Sequence, residues 1–444
     1  MRRSLNAVLI GTFTLRFSTG LTGALLVYYL AELDAFGAGR EVTAVEVGML
    51  TATFYVAELV LSPIFGILSD RLGSRPIMQL GPIFGAIAVV MTALTTDLLV
   101  LGGTRWLEGA AAAASIPSIL GYIALATSRD EGLRGRTVAQ FEAATLAGLG
   151  LGLVAAGGLW ELLDRDAFYL NAVLYGISLL IYRYGVTESR GGSPAVTHRE
   201  LEELGAGGVA GVAHGFGFAR YRQVLTSPSV WLLAPTWIAV NAFIGAWTSQ
   251  SIFQLVDERR AGFEDQLLMG GFAPAQVSVG LGVALLVFFA GLFYWGNRFK
   301  RYRRTTIMGI GIAGGVLMVG AAFGLNHGET WGVLARVSLG LVAAAGLFVL
   351  AGATPAALGM LADISEEHPD DRGVIMGLYS VFLAVGQVVG SLAGGGAAEW
   401  QGFDGLLLVS AALLLIALLP LRWLRGSEHL VGLRPGGAPR PAAG

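Results

Sequence analysis

Residues Gly66 to Pro76 read GILSDRLGSRP. Asp70, Arg71 and Arg75 stand beside Gly66 and Gly73, and long apolar runs lie on either side, at 45–69 and 76–96. In a water-soluble protein this would be an ordinary helix end and turn. About 20 apolar residues suffice to cross a bilayer as a helix, and both flanks reach that length. The stretch therefore reads as a tight, charged connection at a membrane surface.

The composition agrees. Of 444 residues, 54% are hydrophobic and 14% charged, where a soluble domain carries about 25% charged residues. Mean hydropathy is +0.66, so the expected solvent, and partner, is a lipid bilayer. The 65 glycines suit closely packed membrane helices, whose backbones approach where side chains are small. There is no cysteine, which excludes disulfides, zinc–thiolate sites and thiol chemistry. The net charge of −2 gives no reason to expect a nucleic-acid partner. After Met1-Arg2-Arg3 the apolar run from 7 to 33 is too long for the core of a signal peptide and reads as the first span.

Breaks at charges, Pro and Gly divide the chain into twelve spans, at 7–33, 45–69, 76–96, 98–126, 137–161, 167–186, 229–255, 275–296, 305–325, 330–361, 373–398 and 403–423. If alternate connections are placed on opposite sides, one side collects 22 of the 29 basic residues. The other holds Arg40, Arg165, Arg259 and Arg260, while Arg16, Arg105 and Arg336 fall within spans. The positive-inside rule then puts both termini in the cytoplasm and requires an even number of spans. The domain reading is a six-helix bundle over 1–186, a cytoplasmic linker over 187–228, a second bundle over 229–424 and a cytoplasmic tail over 425–444. Within the linker, HRELEEL at 198–204 suits either a surface helix or a flexible tether.

The halves look related. RWLEG at Arg105–Gly109 parallels RVSLG at Arg336–Gly340, and Gly135-Arg136 parallels Asp371-Arg372. At one register Val138, Gly150 and Gly158 face Val374, Gly386 and Gly394.

These residues carry a resemblance. Gly66, Asp70, Arg71, Gly73 and Arg75 match the gating-loop signature of the major facilitator superfamily, between its second and third spans. Arg105-Trp106-Leu107-Glu108-Gly109 resembles that family's span-four motif, with Glu108 where Gln is common. Gly148 to Gly158 is similar to the glycine motif of drug–proton antiporters, although Leu153-Val154 replaces the expected Gly-Pro pair. A second copy of the loop signature around Gly291 to Arg304 is degraded, with Asn297 at the Asp position and Arg298 retained. The resemblance implies an all-α membrane protein: twelve transmembrane helices in two pseudo-symmetric six-helix bundles, with a substrate site between them. It also implies that Asp70 sits near the start of span eleven and latches the halves on the cytoplasmic side. A carboxylate there gains from the positive helix N-terminus.

Charges in hydrocarbon cost about 2.5 kcal/mol or more, so each needs a reason. At 1.5 Å per residue, Glu58 lies roughly 18 Å from either surface and Arg16 roughly 15 Å into span one. Arg105 and Glu108 share a helix face at i,i+3. In one reading these are structural pairs, Arg16 with Glu58 and Arg105 with Glu108. In the other, Glu58 or Glu108 takes up and releases a proton, because burial raises a carboxylate pKa and a neighbouring Arg lowers it. All five histidines fall outside the spans, which leaves Glu58 first and Glu108 second as coupling candidates, with Arg105 and Arg16 as partners. Asn171, Tyr175, Asn241, Trp247, Gln250, Tyr379 and Gln387 suit either interhelical packing or a mixed polar and apolar substrate cavity.

The expected function is secondary transport by alternating access in the cytoplasmic membrane, driving proton-coupled export of a small amphipathic or apolar compound. Alternatives are a proton symporter or uniporter importing a nutrient, a lipid flippase, and a non-transporting membrane sensor. No HExxH motif or Cys–His cluster points to an enzyme, and no cofactor or metal is expected. The expected partners are a small-molecule substrate and protons, and the working unit is a monomer.

Overall fold

The computed structural model describes residues 2–127, 130–187, 228–257, 262–296, 298, 302–357, 359–360 and 372–426. Most of the linker, HRELEEL, Asp363, Asn297 and the tail beyond 426 lie outside the described residues, as do the side chains of Asp70, Arg372 and Tyr379. Among the described residues there is no strand. The helices are α1 (Arg2–Ala31), α2 (Ala44–Leu72), α3 (Ser74–Leu94), α4 (Leu98–Ala126), α5 (Glu131–Leu163), α6 (Ala167–Leu180), α7 (Pro228–Val256), α8 (Pro274–Gly296), α9 (Arg304–Asn326) and α10 (Val333–Leu350). The last helical run, Arg372–Gly426, breaks at Gln401 and Gly402, whose backbones are not helical. It is therefore two helices, α11 (372–400) and α12 (403–426). Nine described segments are long and apolar enough to cross a membrane, and two of these, Gly132–Gly185 and Val381–Gly426, each hold a helix pair. Pro228–Val256 supplies a further helix of 29 residues.

The helix ends follow local chemistry. Thr43 caps α2 in a reciprocal box with Glu46, and Arg40 closes on Glu46 through two bonds of 3.1 and 2.7 Å. Asp97 accepts from Leu99 N and Val100 N at the start of α4. The charged stretch from Gly66 to Pro76 folds around a one-residue connection. α2 ends at Leu72, α3 begins at Ser74, and Gly73 between them has φ 93° and ψ 150°. That region of backbone space is open essentially to glycine alone, which explains Gly73. Arg75 donates to Arg183 O at 2.5 Å and ties the start of α3 to the end of α6.

The chain divides into two compact units, one of Met1–Gly215, Ser249–Arg259 and Gly270–Gly282, the other of Phe216–Thr248, Arg260–Met269 and Val283–Gly444. The division runs through α7 and α8 as well as through the linker. The ends of these helices fall with the first unit because they bond to it. Gly157 N donates to Ser278 Oγ at 2.8 Å, Ala275 N to Glu161 Oε1 at 2.9 Å and Gln250 Nε2 to Ala44 O at 3.0 Å.

In the first unit α1 packs on α5, α2 on α4, and α3 on α4 and α6. Small residues set these distances. A Cβ on Gly148 would lie 2.6 Å from Phe13 O, 2.8 Å from Arg16 Cβ and 3.0 Å from Phe17 N. One on Gly152 would overlap Phe17 O, and one on Gly20 would overlap Leu149 O.

In the second unit the α7–α11 seam repeats this arrangement. A Cβ on Gly386 would lie 2.7 Å from Ile238 O, 2.5 Å from Asn241 Cβ and 3.1 Å from Ala242 N. One on Gly390 would overlap Ala242 O, and Gly245 faces Gln387 O as Gly20 faces Leu149 O. Phe13, Arg16 and Phe17 thus correspond in spacing to Ile238, Asn241 and Ala242. Gly148 and Gly152 are the counterparts of Gly386 and Gly390. This corrects the sequence register, which set Gly150 and Gly158 against Gly386 and Gly394. Gly158 has open space where a side chain would stand. Also in this unit, α9 packs on α10 through Gly314 and Gly346, and Gly291 of α8 lies under Phe348 of α10.

Candidate functional site

Arg16, Glu58, Arg105, Glu108 and Glu142 lie in the first unit, on α1, α2, α4 and α5. Arg16 is buried, with its root fixed in the α1–α5 seam by Gly148. Its charge acts on both Glu58 of α2 and Glu142 of α5. Glu58 is half-buried and Glu142 exposed. Arg16 and Glu58 make no direct ion pair, which corrects the pairing read from the sequence. Seated against α5, Arg16 shares its field between two carboxylates instead of closing on one.

One turn apart on α4, Arg105 and Glu108 do form an ion pair. Their exposures of 6% and 3% place both charges in the interior. The Arg105 guanidinium lies 5.7 Å from the centre of the Phe54 ring. Arg105 Nε and Glu108 Oε1 have no hydrogen-bond partner among the described residues. Gly109, next along α4, lets α2 approach closely, since a Cβ there would lie 2.6 Å from Ala57 Cβ. The glycine of this motif therefore brings Glu58's helix against the Arg105–Glu108 pair.

The uncharged candidates are mostly spent on helix contacts. Asn171 has no exposed surface and donates to Ser18 O at 3.1 Å and Thr22 Oγ1 at 2.7 Å. Tyr175 is buried beside it, its hydroxyl 3.4 Å from Thr22 Oγ1. Asn241 donates to Trp237 O at 2.8 Å, and Gln250 binds Ala44 O. Gln387 Oε1 accepts from Thr248 at 3.3 Å. Trp247 is half-buried against Phe243 and Phe403, and its Nε1 has no partner among the described residues. Sequence reasoning missed Tyr55, which the charges of Glu58 and Arg105 both reach, and Thr22, which joins Asn171 to Tyr175. Neither stands out in the sequence, since a single Thr or Tyr within a span carries no signal of its own.

The profile of the Major Facilitator Superfamily matches residues 8–286 and 268–443. The chain belongs to that superfamily. It has the all-α, multi-pass membrane fold of that superfamily. Among superfamily relatives it is 27% identical over 360 residues to a triacylglyceride transporter of Mycolicibacterium smegmatis, covering 78% of this chain and 60% of that protein. It is 25% identical over 174 residues to the quinolone resistance protein NorA of Staphylococcus aureus, covering 39% of this chain and 42% of NorA. The chain thus spans less than two thirds of each relative's length. The solved structure of a point mutant of the nucleoside transporter NupG superposes with a TM-score of 0.66 at 14% identity over 94% of this chain and 99% of that one. At that identity the superfamily likeness speaks for the fold alone.

Proposed function

We infer that this transporter works by alternating access in the cytoplasmic membrane, with both termini inside, and exports a small amphipathic or apolar compound in exchange for protons. The observation that carries this reading is the setting of Arg16: it is buried in the α1–α5 seam, makes no ion pair with Glu58, and lies in the electrostatic reach of both Glu58 and Glu142. With both ionised, the group bears a net negative charge within the membrane span. Protonation of Glu58 removes that excess. The buried Arg105–Glu108 pair is balanced and suits a fixed structural charge. Burial and a neighbouring Arg are the two levers that set a carboxylate's affinity for a proton, and Glu58, deepest in its span by residue count, is the carboxylate assigned the coupling role. The gating loop from Gly66 to Arg75 supports a two-sided mechanism by resemblance, and the partial likeness to NorA supports export.

A second reading, export of a lipid-like cargo, is favoured by the longer match to the triacylglyceride transporter. Proteoliposomes separate the two. Under an imposed pH gradient, accumulation of an amphipathic fluorescent dye supports the first reading, and extraction of a fluorescent triacylglycerol from the donor leaflet supports the second. In either assay Glu58→Gln should abolish pH-driven transport and leave substrate exchange intact. Wild-type pH-driven rates in that variant would remove Glu58 from the coupling step.

A further inference from the structure

At one end of the second unit three connections meet on His327. Its Nε2 lies 2.9 Å from Asp404 Oδ2, at the start of α12, and its Nδ1 lies 3.5 Å from Asp265 Oδ2, in the α7–α8 connection. The site is built rather than incidental. Asn326 donates to the other oxygen of Asp404 at 2.9 Å and accepts from Leu268 N at 2.8 Å, and its carbonyl accepts from Leu267 N at 2.7 Å. Gln266 accepts from Asp404 N at 3.2 Å and donates to Gln401 O at 3.0 Å. Phe323 covers the imidazole from one side, ring centres 4.8 Å apart. The charged groups facing the ring are Asp265 from the α7–α8 connection and Asp404 from α12. Glu264 and Glu329 are their neighbours in sequence on the connections that meet here.

A neutral imidazole has one N–H, and a charged imidazolium has two. Here each ring nitrogen faces a carboxylate, so the neutral ring can serve only one and turns a lone pair toward the other. Asp404, nearer and largely buried, keeps its bond. Asp265, farther away and 70% exposed, loses it. Histidine is the side chain whose charge changes between about pH 5 and 8.

We propose that His327 is a proton-operated clamp that fastens the α7–α8 connection to α9 and α12 when charged and releases it when neutral. The connection it holds leads directly into Pro274, the first residue of α8, whose opening turns bond to Gly157 and Glu161. The pH on this side of the membrane therefore acts on the connection that precedes α8, without passing through the interior carboxylates.

The chain has no cysteine, so a single Phe263→Cys reports on the connection without background. Its maleimide labelling rate is divided by that of a separate exposed reference, Leu162→Cys, to remove the reagent's own pH dependence. The normalised rate should rise several-fold from about pH 5 to about pH 8, the range in which histidine discharges. His327→Gln should label fast at every pH, and His327→Arg, permanently charged, slowly at every pH. Should His327→Gln fail to fold, Asp265→Asn at the exposed end of the clamp should also flatten the profile. A flat profile in the Cys-bearing parent overturns the clamp, as does a slope that survives in His327→Gln or Asp265→Asn.

Discussion

Asn241 stands in the second repeat where Arg16 stands in the first. Each has its Cβ against a glycine of the partner helix, Gly148 for Arg16 and Gly386 for Asn241, and each is flanked by backbone atoms in the same order. The seam is kept in both repeats, and the charge is present in only one. In α7 the position is filled by an amide that bonds its own helix at Trp237 O. The two seams share the close approach, and the difference at this one position leaves the charge chemistry in the first unit.

The seam itself should be intolerant of a methyl group. Gly152→Ala sets a Cβ into Phe17 O, and overpacking costs about 1–3 kcal/mol. Gly158→Ala, in the same helix but facing open space, should be neutral or stabilising by about 0.5–1 kcal/mol through helix propensity. Thermal unfolding of the two purified variants checks this, and equal losses would count against the contact.

The Arg105–Glu108 pair should behave as a unit. Glu108→Gln leaves Arg105 buried without its counter-charge and should cost about 3–5 kcal/mol. Replacing both by apolar residues should cost less than either single change, because the uncompensated charge is gone. A double-mutant cycle on unfolding free energy would show strong coupling, and additive losses would refute it.

Gly73 should resist replacement for a backbone reason. Its φ and ψ cost a residue bearing a Cβ about 1–3 kcal/mol. Gly73→Ala should therefore lower the unfolding temperature even though it sits in a short surface turn. An unchanged temperature would mean that the connection between α2 and α3 relaxes freely.

Glu32, just past the end of α1, predicts a pH dependence of stability. Burial raises its carboxyl above the ordinary 4.5, and the 3.2 Å bond from Trp160 Nε1 only partly offsets this. A carboxyl raised in the folded state favours its protonated form there. Its contribution is thus full below the ordinary carboxylate range and lost as pH rises through the raised value. Glu32→Gln keeps an acceptor for Trp160 and should flatten this part of the stability profile, measured as unfolding temperature against pH from the acid side upward.

The spans were legible because hydropathy and arginine placement report directly on solvent. Gly73 was legible because a tight turn leaves a local mark. The register of the repeat lies two positions from the one the sequence suggests, because one glycine looks like another in sequence and only the partner atoms, Arg16 Cβ against Gly148, tell which one packs. The same limit applies to the charges. Arg105 and Glu108 are neighbours on one helix and could be paired from spacing. Arg16, Glu58 and Glu142 come from three helices, and their grouping depends on how α1 seats on α5. His327 was invisible as a site because its two acids, Asp265 and Asp404, lie on connections far away in sequence.

Ser4 and Thr187 share a 2.8 Å hydroxyl contact, and Tyr122 donates to Thr187 O at 3.1 Å. The beginning and the end of the first six helices therefore lie side by side. A module whose entrance and exit adjoin can be copied in tandem, or opened and rejoined elsewhere, without rethreading any of its segments. That geometry makes a gene-fusion origin for the paired halves mechanically simple.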